Sequence, residues 1–320
     1  MELKLQIENG GVLYEPAVED GMVWETVRKG SPGKLTFSVI KDGALSFTEG
    51  SGVRLVVDGA KLFKGFVFTK GRGKGPAIDV TAYDQLRYLK NKDTLMFENM
   101  TAAGRLRDIA GKFELECGSI EETGVVLPGR LTEENTTLFD MVLNALDETT
   151  RQSGRLFVLY DDFGKLALKD VRGLQLDLLI DAETGESFDY TSSIDSQTYN
   201  KIKLAYDNKD TGKREVYVAQ DGQKMNEWGV LQYFEQLDDP TGAVAKADAL
   251  LGLYDQKTRN LSVKNVMGDV RVRAGCAVAV ALNLGDVVTN NFMVVENVKH
   301  TFRNQEHRMD LTLIGGEFIA

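Results

Sequence analysis

Histidine occurs only twice in these 320 residues, at His300 and His307, and cysteine only twice, at Cys117 and Cys276. Two histidines cannot supply the three or four ligands that a zinc site needs in fixed geometry; flanking a turn at "FRNQE" they can meet across a hairpin, and they are expected to be ordinary surface or edge-strand residues. No HExxH, GxSxG or CxxC motif is present either, so the familiar metalloprotease, serine-hydrolase and redox signatures are missing. The cysteines lie far apart; a single long-range bridge stays open, with two reduced thiols the expected state. There is no run of about 18 apolar residues, so no helix is expected to cross a membrane. The opening stretch "MELKLQIENGG" lacks both a basic and an apolar leader region. It reads as a strand, and the expectation is a chain made and folded in the cytoplasm.

Positive charge is in short supply too. The net charge is −10, and it falls unevenly: +3 over residues 1–92, −9 over 93–185 and −4 over 186–320. Affinity for nucleic-acid phosphates rests mainly on Lys and Arg, so a chain this acidic is expected to be a poor general binder of DNA or RNA. The acidic middle is either an ordinary solvated surface or a field that repels polyanions.

What is present is β-structure. Leu3, Leu5 and Ile7 alternate with polar residues, as do Leu35, Phe37 and Val39, and Val53, Leu55 and Val57. Gly10-Gly11, Gly30 to Gly33, Asp42-Gly43 and Asp58-Gly59 supply turns at short spacing. Residues 1–92 are therefore expected to form a first antiparallel barrel. Residues 93–185 read as an α+β middle domain. "TAAGRLRDIAGKF" has Leu106, Ile109, Ala110 and Phe113 at helical spacing behind a Thr101 cap. "TLFDMVLNALDETTRQSG" has Leu138, Met141, Val142, Ala145 and Leu146 on one face, between a Thr137/Asp140 capping pair and Gly154. Residues 186–320 are expected to form a second barrel carrying one helix at about 241–256. The fold class is thus mainly β with an α+β insertion: two tube-like antiparallel barrels and a mixed middle domain. An internal echo supports the pairing. The order strand, tight turn, aromatic strand, polar turn, closing strand from Gly52 to Asp84 recurs from Ala277 to Gly316.

Candidate chemistry is sparse. "GRGKGP" has the wrong glycine spacing for a phosphate loop, and no helix follows it. "DDFG" at Asp161 to Gly164 reads as a hairpin turn. Glu121-Glu122 and Glu133-Glu134 are the acidic pairs that a glycosidase would need, yet nothing in the pattern selects them. No catalytic, cofactor or metal residues are assigned. Lys70, Arg72 and Lys74 lie on or beside a glycine-rich hairpin tip without interleaved aromatics to stack bases. They are either a solvated tip or a docking contact for an acidic protein neighbour.

Three stretches carry a family resemblance: "GSPGKLTFSVIKDG…EGSGVRLVVDGAKLFKGFVFTK", "YDQLRYLKNKDTLMFENMTA" and "GDVRVRAGCAVAVAL…FMVVENVKHTFRNQEHRMDLTL". The chain resembles the XkdQ/YqbQ-like baseplate hub proteins of contractile phage tails, defective prophages and phage-tail-like bacteriocins, within the wider late-control D and tail-hub family. The resemblance implies a structural, non-enzymatic homotrimer without cofactors, assembled in the bacterial cytoplasm into a particle baseplate. Two tube-like barrels per subunit would present six around a channel, reconciling a sixfold tube with a threefold spike. The implied partners are the tail tube or tube-initiator protein, the central spike and other baseplate subunits. DNA or tape-measure protein would pass through the channel without specific binding. The chain shows none of the lysozyme-like, peptidase or β-helix spike modules of longer relatives. The alternatives are a cell-wall hydrolase, or a peptidoglycan-binding module with Trp24 or Trp228 exposed to glycan.

Overall fold

The computed structural model describes residues 1–195, 197–209, 211–283 and 288–315. The chain opens with β1 (Leu3–Asn9), β2 (Val12–Tyr14), β3 (Met22–Val27), β4 (Lys34–Ile40), β5 (Gly52–Val57), β6 (Ala60–Arg72) and β7 (Ala77–Tyr83). Their period of two turns Leu5, Ile7, Leu35, Phe37, Val53, Leu55, Ile78 and Val80 onto one buried core. The two-residue Asp58-Gly59 turn, with φ of 48° and 81°, closes the hairpin of β5 and β6.

A mixed body follows: β8 (Lys92–Thr101), α1 (Ala102–Lys112), β9 (Cys117–Ile120), β10 (Val126–Thr137), α2 (Leu138–Ser153), β11 (Phe157–Asp161) and β12 (Leu166–Asp170). α2 forms as its sequence dictates. Thr137 Oγ1 accepts from the Asp140 amide at 3.0 Å and donates to its carboxylate at 2.6 Å. Gly154 ends the helix at φ 67°. Its apolar face, Leu138, Met141, Val142 and Ala145, packs on α1 through Leu106 and Ile109. β11 and β12 form the hairpin expected at the "DDFG" turn, with the Asp162 amide on the Lys165 carbonyl at 2.7 Å.

The remaining strands are β13 (Gln175–Asp181), β14 (Ser187–Ser193), β15 (Lys201–Asn208), β16 (Lys213–Gln220), β17 (Gln232–Leu237), β18 (Thr258–Met267), β19 (Ala277–Asn283), β20 (Val288–Arg303) and β21 (Glu306–Gly315). α3 (Gly222–Trp228) and α4 (Ala243–Tyr254) lie either side of β17. Here the pairing departs from the sequence-based division in two places. β15, β16 and β17 bond only to one another among the described residues, outside the second barrel. Their inward residues Ile202 and Leu204 find a core of their own against Ala243, Ala247 and Leu250 of α4, so the segment folds as an insertion. β13 was placed in the middle domain by sequence, yet it pairs in parallel with β19. Its Leu176, Leu178 and Ile180 pack on the second barrel core, which rewards that pairing.

The internal echo becomes a strand-by-strand match. In the first barrel the spatial order is β3-β4-β7-β6-β5-β1, and in the second it is β14-β18-β21-β20-β19-β13. Chain order maps one onto the other without exception; the one difference is that β1 meets β5 antiparallel while β13 meets β19 parallel. Each long strand carries a one-residue bulge at the same point, Val67 to Thr69 in β6 and Val295 to Asn297 in β20. A bulge inserts one residue and so reverses which parity faces inward. Accordingly Met293 and Val295 are buried before it, and Val298, His300 and Phe302 after it. The tip between β19 and β20, residues 284–287, lies outside the described residues.

Candidate functional site

Two surfaces organise the molecule: the seam that joins the barrels and the basic strand end that the sequence singles out. At the seam, β20 holds β21 along one edge, while its other edge is shared. β19 takes it up to Val294, and β3 takes it from Asn297 to Phe302. One sheet therefore runs through both barrels. Arg28 locks the far end, its amide on the Glu296 carbonyl at 2.9 Å and its Nε on the Glu296 carboxylate at 2.5 Å.

His300 lies at the middle of the seam, fully buried, and stacks on Trp24 with ring centroids 4.7 Å apart. Its Nε2 is 3.0 Å from the Val272 carbonyl, which only accepts, so Nε2 carries the proton. Nδ1 must then accept from His307 Nε2 at 2.8 Å. The two histidines meet over the two-residue turn of Asn304 and Gln305, as their spacing allows. His300, however, is fully buried between β21 and β3 and is not the surface or edge-strand residue expected from the sequence. Burial drives the His300 pKa down to about 3, with His307 pushing the same way. No group of three or more His, Cys, Asp or Glu side chains suited to a metal occurs among the described residues.

Lys70 and Arg72 lie within β6 itself, and Lys74 in the turn after it. Lys70 Nζ donates to the Phe47 carbonyl at 2.5 Å and sits 4.3 Å from the Phe47 ring centre, so it is partly committed inside the subunit. Arg72 and Lys74 are exposed and point their charges into solvent.

The acidic pairs do not converge. Glu121 is engaged by Arg155 at 3.1 Å and by the Asp170 amide, while Glu122 pairs with Arg107 at 2.5 Å. Glu133 and Glu134 stand on β10. Trp24, which a glycan platform needs at the surface, is only 4% exposed.

Sequence reasoning missed one carboxyl cluster. Asp84 accepts from the Gly33 amide at 2.8 Å and the Leu86 amide at 3.0 Å; Asp161 accepts from Gly164 at 2.7 Å. Burial raises the Asp84 pKa well above the usual range, and that of Asp161 to about 6. Arg273 reaches across from the second barrel, its guanidinium 4.0 Å from the Tyr160 ring centre and donating to the Asp161 carbonyl. The available signal was Asp84 just before the helical turn at Gln85–Lys90, a capping position. The cluster ties the two barrels to the middle body. The thiols are free, with Cys117 exposed and Cys276 buried.

A family model described as YQBQ-like matches residues 22–314. The phage-like element PBSX protein XkdQ of Bacillus subtilis is 31% identical over 280 residues, covering 84% of this chain and 82% of that one. Among solved structures, the tail protein from Neisseria meningitidis MC58 superposes with a TM-score of 0.69 at 12% identity, over 99% of this chain and 98% of that one. The Escherichia coli c3393 protein superposes with a TM-score of 0.58 at 11% identity, over 100% of this chain and 78% of that one. It is described as a type VI secretion component similar to the T4 tail proteins gp27 and gp5. At such low identity these structures share the fold alone, whereas the family match spans nearly the whole sequence: the chain belongs to the YQBQ-like family.

Proposed function

We propose that this protein is a structural hub subunit of a phage-tail or tail-like baseplate, three copies of which close into a ring of six similar barrels around a channel. The observation that carries this reading is the duplicated six-strand order, down to the matching bulge. A trimer of a duplicated unit presents sixfold pseudo-symmetry to a tube and threefold symmetry to a spike. Family membership and the fold shared with tail proteins support a structural role in a tail or baseplate. In this reading residues 1–84 and the strands from β13 onward, less the β15–α4 insertion, are the tube-like bodies. The tube or its initiator, the spike and neighbouring baseplate subunits are the partners, in a particle assembled in the bacterial cytoplasm. The net charge of −10 suits a lumen that passes DNA or tape-measure protein without holding it.

Native mass measured over a wide concentration range tests the reading. Three times 35.4 kDa, with a ring and central hole in images, is the expected result; a stable dimer overturns it. Lys70, Arg72 and Lys74 serve assembly in this scheme. Replacing all three with Ser is expected to leave the subunit folded, at a cost of about 1 kcal/mol for the lost Lys70 hydrogen bond. The same variant should weaken assembly at least tenfold by sedimentation. Unchanged assembly would return these residues to a solvated tip.

A further inference from the structure

Among the described residues, the sheet has two open edges that match the two sides of the seam inside the chain. β20 offers the edge beyond its bulge to β3; the matching edge of β6, beyond Val67 on the β5 side, has no strand partner among the described residues. The local frame is otherwise the same. The Gly50 amide bonds to the Val67 carbonyl and the Val67 amide to Ser51, as Gly275 and Cys276 do with Val295. Both glycines hold positive φ, 86° and 92°. The carbonyls of Phe47 and Val272, three residues upstream in each case, each meet a side chain of the long strand, Lys70 and His300. At the other end, β14 is the equivalent of β3. It bonds to β18 on one edge and to no strand on the other among the described residues. A seven-residue edge without Pro or Lys, carrying Phe188 at 40% exposure, is the kind that proteins normally cover.

We infer that β14 of one subunit pairs antiparallel with the end of β6 of a second copy, in the register that β3 and β20 use within the chain. This rests on the ring proposed above and specifies how it is held. The register follows from the two sets of pairings. Trp24 opposes Leu35 and Tyr190 opposes Leu261, while Leu35 and Leu261 oppose the equivalent Ala82 and Leu313. The internal pairs Val27–Asn297, Glu25–Lys299 and Trp24–His300 therefore translate into Ser193–Thr69, Thr191–Gly71 and Tyr190–Arg72 between copies. Phe188 then falls beside Lys74, and Arg72 beside Tyr190, a cation over an aromatic ring where the internal seam has Trp24 on His300. Charge agrees: residues 183–195 hold Glu183, Glu186, Asp189 and Asp195 with no Lys or Arg, and residues 70–74 hold three cations and no carboxylate. Because the contact is head to tail, each copy uses both edges, and a closed ring leaves neither open.

A disulfide reads the register directly. In a Cys117→Ser background, Gly71→Cys and Thr191→Cys in one chain are expected to oxidise to a covalent trimer, since facing residues lie about 5 Å apart. Gly71 admits a side chain, whose Cβ would meet its nearest neighbour at 3.7 Å. The pairing of Gly71→Cys with Ser187→Cys, four residues out of register, should leave the chains unlinked. As an independent measure, Phe188→Lys should raise the concentration for half-assembly at least tenfold, and adding Lys74→Glu should recover it. A trimer by mass that never forms the 71–191 bond, and is indifferent to Phe188→Lys, overturns the seam while leaving the hub reading intact. Chains that neither trimerise nor cross-link overturn the seam as a self-sufficient contact; imaging with tube and spike neighbours then decides the hub reading separately.

Discussion

Replacing Trp24 with alanine is expected to cost about 3–5 kcal/mol of stability, the range for truncating a large aromatic in a closely packed core. Trp24 belongs to the core of the first barrel, and its ring also lies on His300 of the second. The void would open between two strands, β3 and β20, whose backbones are tied together from Met22 to Val27. Such a site has little room to collapse, so the loss belongs at the upper end of the range. The seam is also the continuous sheet between the barrels, and weakening it should split one unfolding transition into two. Denaturant titration followed by circular dichroism measures the loss. Fluorescence adds a second readout: there are only two tryptophans, and Trp24, being buried, supplies the blue-shifted emission. Trp228, on the short α3 and partly exposed, is the control; Trp228→Ala should cost less than about 1 kcal/mol. A Trp24→Ala loss that small would mean that the barrels are not held through this ring.

How much of this was legible beforehand depends on whether the signal is local. The ends of α2 were readable because Thr137, Asp140 and Gly154 act within a few residues of themselves. The faces of β1, β4 and β5 were readable because a period of two needs no knowledge of the partner. Partners are another matter. Nothing near Met22 says that β3 will bond to a strand some 275 residues later, since alternation fixes which side chains point inward and leaves the neighbour open. The bulges are invisible for a similar reason: Glu296 and Phe68 become the extra residues only once β21 and β7 set the count. The insertion from β15 to α4 was absorbed into the second barrel because its strands alternate like any others; only the competing core under Leu250 reveals it. The basic residues were found by composition, while the edge on which they stand emerged from the duplication.

Acid should act on the same seam, through His300. The neutral ring is held twice, Nε2–H donating to Val272 and Nδ1 accepting from His307, so a second proton displaces the His307 bond and buries a charge. Burial keeps the His300 pKa down at about 3, against about 6.5 in an unfolded chain. Between those values the unfolded state binds the proton and the folded state does not, so stability is full above pH 6.5 and is lost as pH falls towards 3. A gap of about 3.5 units corresponds to roughly 5 kcal/mol at the acid end. His307, also lowered by burial, acts in the same sense, while Asp269 nearby favours the charged forms of both and softens the effect. Asp161 and Asp84 act oppositely: their carboxyls are raised by burial, so they gain stability on protonation, for Asp161 below about pH 6. The wild-type curve therefore mixes two signs, and the difference from His300→Gln separates them. A glutamine amide keeps one donor and one acceptor, and its cost at pH 7 is expected to be about 1–3 kcal/mol. That cost should shrink by up to about 1.4 kcal/mol per pH unit below 6.5 and vanish by about pH 4. Two parallel curves, separated by the same amount from pH 7 to pH 4, would mean that His300 takes up its proton as readily in the folded chain as in the unfolded one.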